Sequence, residues 1–170
     1  MKLFQRLFGS PDRGTAPALY RAVVARGREP HWYAQGGVPD TIDGRFDMIA
    51  AILSLVLIRL ESQPEGVGHG AMITEVFVED MDGQLREIGI GDVVVGKHMG
   101  RMMAMLGGRL GAYRDGLAAT DLKPALVRNL YRGAEPAPEA LAHVESALTA
   151  LHESLAAASL DALMAGEIPQ

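Results

Sequence analysis

Apolar residues recur every three or four positions along most of the chain, the spacing of a helix with one buried face. Over 17–26, "PALYRAVVAR" keeps Leu19, Val23 and Arg26 at that spacing and predicts a first helix. Pro30 opens a helical turn that reaches Tyr33, and Gly36 and Gly37 stop it. The longest apolar run, "MIAAILSLVLI" over 48–58, is greasy on every side. It predicts a buried central helix over about 44–62, too short for the roughly 18 apolar residues of a membrane span. A loop with Gly66, Gly68 and Gly70 should follow, then a helix through "AMITEVFVEDM" that ends at Gly83. "QLREIGIGD" reads as a connector with at most one helical turn. A long helix is expected over 92–119, with Asp92 as its N-cap, and a shorter one over "KPALVRNLYRG" with Pro124 in its first turn. "GAEPAP" precedes a last amphipathic helix over 138–164. Only "DVVVG" and "MITEVFVED" carry β-branched clusters, and both sit inside helical periodicity.

The expected fold is therefore all-α: a single-domain bundle of six or seven helices around the buried helix at about 44–62. Residues 1–16 would be a short amphipathic segment and linker, 17–133 the main helical domain, and 134–170 a Pro-rich connector and C-terminal helix packed on it.

Composition narrows the function. The net charge of −5 argues against a general nucleic-acid binder, which gains affinity by neutralising phosphates. Without cysteine there is no disulfide, thiolate zinc site or cysteine nucleophile. "MKLFQRLF" lacks the long apolar core of a signal peptide, so the chain is expected to stay in the cytoplasm. Residues 1–8 put Leu3, Phe4, Leu7 and Phe8 on one side of a short helix, a candidate peripheral contact with the inner membrane.

"GVPDTIDGRFD" places three carboxylates, Asp40, Asp43 and Asp47, ahead of the central helix. The simpler reading is capping: Asp40 or Thr41 accepts from free amides, Asp40 and Asp43 stand three apart as in a capping box, and all face the positive helix end. The sharper one is an oxygen-ligand site for Mg²⁺ or Ca²⁺, without the acidic or Glu-x-x-His motifs that would support it. "EDMDG" over 79–83 fails as a calcium loop, because aligning Gly83 puts Val78 at the first ligand position and Gly89 at the last. No nucleophile elbow, phosphate loop or dinucleotide motif is present, and His31, His69, His98, His143 and His152 form no i, i+4 ligand pair. No metal, cofactor or enzymatic activity is expected. The competing readings are a divalent-cation enzyme on a prenyl or quinone-like substrate, and haem handling through His98 or nearby methionines.

"GKHMGRMMAMLGGRLGAY" carries two stripes. Met99, Met103, Leu106, Leu110 and Tyr113 form an apolar one, most simply core. Gly96, Gly100, Ala104, Gly107 and Gly111 form one of very small side chains, although glycine costs about 1 kcal/mol per helix position. Either a second helix of this chain crosses closely there, or the stripe, with Met102 and Met105, is a groove for a hydrophobic client helix.

The order of "LYRAVVARGREPHWYAQGGVPDTIDGRFDMI", "DMDGQLREIGIGD", "GRLGAYRDGL" and "ALVRNLYRG" resembles the ubiquinol–cytochrome c chaperone family, over about 18–133. The resemblance implies an all-helical, non-enzymatic assembly factor that holds a membrane-protein client, cytochrome b or another subunit of the ubiquinol–cytochrome c oxidoreductase. It marks Asp40, Thr41, Asp43, Gly44, Arg45, Phe46 and Asp47 as a first signature. Asp80, Asp82, Leu85, Arg86, Glu87, Gly89, Gly91 and Asp92 form a second, and Gly108, Arg109, Ala112 and Tyr113 a third. Gly100, Gly107 and Gly111 depart from the bulkier or charged residues usual in the family. Combining both readings, the acids of the first signature are expected to pair with Arg86 and Arg109.

Overall fold

The computed structural model describes residues 14–87 and 92–169, and at 82, 84–87, 92–99, 101 and 102 the backbone alone. Among the described residues there are eight helices and no strand. They are α1 (Ala16–Gly27), α2 (Pro30–Ala34), α3 (Ile42–Glu61), α4 (Pro64–Glu87), α5 (Asp92–Ala118), α6 (Lys123–Asn129), α7 (Pro138–Ala157) and α8 (Leu160–Met164). The bundle is all-α, and two of its helices, α2 and α8, have only five residues.

The centre is α3. It is apolar all round because α1, α4, α5 and α7 each pack against it. Met48, Ile52, Leu53, Leu55, Val56 and Leu60 have no exposed surface. Its start is set by the sequence just before it. Thr41 is extended and its Oγ1 accepts from the Gly44 amide at 3.1 Å. That cap needs a glycine, since a Cβ at Gly44 would stand 1.9 Å from the Pro39 carbonyl oxygen. Asp40 is thus neither cap nor box member; it pairs with Arg45 instead, at 2.7 Å.

Three boundaries differ from expectation, and in one of them α4 continues past Gly83 to Glu87. No glycine loop separates α3 from α4: Pro64 opens α4 almost at once, and Gly66 and Gly70 lie within it. The reversal is so tight that a Cβ at Gly66 would meet the Leu60 carbonyl oxygen at 2.1 Å, so glycine here serves close approach. The single helix expected over 138–164 breaks at Ala158 and Ser159, both extended. Arg59, buried on α3, donates from Nε to Leu155 O and from Nη2 to Ala158 O, each at 2.9 Å, taking carbonyls at the end of α7. Ser159 then caps α8 through the Ala162 amide. Val144, Leu148, Leu151 and Leu155 of α7 belong to the same apolar cluster as α3. No helix among the described residues is long and apolar enough to cross a membrane.

Candidate functional site

Asp47 lies in the second turn of α3 with none of its surface exposed. Burying a carboxylate is expensive unless it is paired and hydrogen-bonded. Here both oxygens are taken. Arg109 of α5 donates to Oδ1 from Nη2, and Arg132 donates to Oδ2 from Nε at 2.6 Å. Arg132 also reaches Asp43 Oδ2 through Nη1 at 2.7 Å. One carboxylate thus ties α3, α5 and the link between α6 and α7. The Arg109 guanidinium also stands 5.5 Å from the Phe46 ring centroid, a cation–π contact.

The link is shaped to deliver that guanidinium. Arg132 has φ +55° and Gly133 φ +83°, both left-handed, and the first is uncommon for a residue with a Cβ. Burial pushes the Asp47 carboxyl above the usual carboxylate range, against the Arg132 hydrogen bond and the Arg109 charge, which pull it down. The hydrogen bond that Arg132 donates to Asp47 raises Arg132 in turn. Tyr113 packs beside the hub, fully buried, and its hydroxyl and Arg109 Nε make no hydrogen bond among the described residues. Burial drives the Tyr113 hydroxyl well above its ordinary value. Tyr131, pushed up to about 12 by burial, donates to the Gly36 carbonyl at 2.6 Å.

The first and third signatures therefore meet, at Asp43, Asp47, Arg109 and Tyr113. Asp40 and Arg45 form an exposed pair outside the hub, and that hydrogen bond lowers Asp40. From the second signature, Asp80 accepts from the Tyr20 hydroxyl at 2.7 Å, in an open cleft of about 400 Å³ that Arg21, Val24 and Arg28 also line. The side chains of Asp82, Arg86, Glu87 and Asp92 lie outside the described residues, so the Arg86 pairing has no counterpart to report. The partner observed for Asp43 is Arg132, which sequence reasoning missed. Its only signal was its place in "ALVRNLYRG", next to a glycine.

The stripes of α5 are resolved by packing. Leu106, Arg109 and Tyr113 face the core. Met103 does not, contrary to the core stripe expected for it: Met103 and Met105 are each 44% exposed. A Cβ at Gly100, Gly107, Gly108 or Gly111 would meet nothing within 4 Å, and Ala104 is exposed. No helix among the described residues crosses there. The side chains of Met99 and Met102 lie outside the described residues. No group of three His, Asp or Glu side chains among the described residues is placed to hold a metal ion.

A helical body with two exposed methionines on one long helix, itself anchored through a buried ion-pair hub, is built like a binding module. The ubiquinol-cytochrome C chaperone family model matches residues 34–169, and the chain belongs to that family. The crystal structure of the Cbp3 homolog from Brucella abortus is similar at a TM-score of 0.80 and 34% identity, over 98% of this chain and 93% of that one. No curated protein matches. Family and neighbour together support a chaperone role in assembly of the ubiquinol–cytochrome c oxidoreductase.

Proposed function

We propose that the chain holds a hydrophobic segment of cytochrome b, or of another membrane subunit of the same complex, and releases it unchanged. The observation that carries this reading is the outer face of α5. Glycines and Ala104 leave its backbone open, Met103 and Met105 flank it with flexible apolar side chains, and the opposite side is fixed to α3 through Arg109 and Tyr113. Small residues let a second helix approach closely, and methionine tolerates imperfect partners. The chain would work at the cytoplasmic face of the inner membrane, with residues 1–8 as its contact.

Photo-crosslinkers at Met103 and Met105, in cells that make the respiratory complex, test the reading. Crosslinks to cytochrome b are expected from both positions and not from Glu139 on α7. Capture from Glu139 alone, in a strain that still assembles the complex, would place the client elsewhere.

A further inference from the structure

Two imidazoles meet where α7 passes α2. His31 Nδ1 and His143 Nε2 are 3.0 Å apart, and His31 Nε2 is 3.1 Å from Glu29 Oε2. These three groups fix one another's hydrogens. A carboxylate only accepts, so His31 Nε2 carries a proton. Neutral imidazole has one N–H, so His31 Nδ1 accepts and His143 Nε2 donates. The arrangement is held from behind. Arg26 Nη1 binds the other oxygen of Glu29 at 2.9 Å, and Trp32 lies against the His31 ring, its centroid 4.1 Å away. Trp32 Nε1 donates to the Arg26 carbonyl at 2.8 Å.

We propose that Glu29, His31 and His143 form a clasp between α2 and α7 that tolerates one added proton and opens with the second. A proton on His143 Nδ1 leaves the shared bond in place and makes it charge-assisted. A proton on His31 is accommodated when His143 moves its own hydrogen to Nδ1. With both rings charged, N–H points at N–H across 3.0 Å and no tautomer repairs it. The charged groups around the rings are Glu29 in the α1–α2 link, Arg26 in the last turn of α1, and Glu139 one turn earlier on α7. Glu145, two residues on, is committed to α6 through the Leu122 amide and Lys123.

The clasp sits against the turn that precedes the first signature. A Cβ at Gly36 would stand 2.6 Å from Val144 Cγ2, and one at Gly37 3.4 Å from Ala140 Cβ. Opening it would free the first half of α7 from that turn.

Ring-nitrogen NMR on the full chain, from about pH 8 down to about pH 5 across the ordinary imidazole range, reads the states directly. Expected are Nε2–H on both rings at the upper end and two separated protonation steps. The second step should bring a severalfold rise in hydrogen exchange at amides 140–145, after correction for intrinsic rates. His143→Gln, whose amide still donates to His31 Nδ1 but cannot take a proton, should hold those amides protected throughout. Independent titration of the two rings, a His143 Nδ1–H tautomer at the upper end, or the same loosening in His143→Gln would each overturn the clasp.

Discussion

Asp47 and Arg132 form a pair in which one member is fully buried and the other half in water. The energy is asymmetric for that reason: Arg132 can lose its partner to solvent, whereas Asp47 cannot. Arg132→Ala should therefore cost about 1–2 kcal/mol in urea unfolding near neutral pH, at the low end for a charged hydrogen bond because the guanidinium is half exposed. The sign of the pH dependence follows from Asp47. Burial already raises its folded-state value, so its ionised form costs stability above that value, and the cost is relieved as pH falls through it. Removing Arg132 takes away a hydrogen bond that lowers Asp47, so the variant gains more on acidification. The gap between wild type and Arg132→Ala should narrow as pH falls toward the carboxylate range. A gap that widened would mean that the pair does not hold the charge on Asp47. Gly44 marks the other end of the same logic, since the Thr41 cap exists only because no side chain occupies the space of the Pro39 carbonyl.

At the scale of the element, α5 carries two opposed demands. Leu106, Arg109 and Tyr113 bind it to the core, while the open glycines weaken it as a helix. Gly107→Ala and Gly111→Ala meet no described neighbour and relieve backbone entropy, so each should raise stability by about 0.5–1 kcal/mol in thermal or urea unfolding. If a client backbone packs on this face, the same changes should lower accumulation of the assembled complex. More stability with unchanged assembly would remove the face from the mechanism. The periodicity of α5 and the inward side of Leu106, Leu110 and Tyr113 were legible in the sequence, but the exposure of Met103 was not. Met103 and Leu106 are equally apolar in a local window, and Arg109, a charged residue, is the one that goes inside because Asp47 waits there. The glycines of α4 misled in the opposite way. Gly66 and Gly70 look like a loop until the α3–α4 reversal brings Leu60 and Leu57 against them.

Across the whole molecule, one apolar cluster runs from Leu19 on α1 to Met164 on α8. The C-terminal helices are therefore part of the body: Val144, Leu148, Leu151 and Leu155 close over α3, and Arg59 spans back to the end of α7. Removing residues 134–170 should expose that side of α3 and abolish the cooperative unfolding transition seen by circular dichroism. A truncated chain with a sharp transition would make the tail a separate unit. What the sequence determined by itself was local: the 3.6-residue period that places helices, the Thr41 cap, and the interior character of α3. Those follow from contacts a few residues apart, which a linear pattern records. Only the tertiary structure decided the second partner of Asp47, Arg132, 85 positions away, the meeting of His31 with His143, and the face of α5 that no described residue covers. Such contacts depend on how rigid helices cross, and a one-dimensional period carries no information about the crossing.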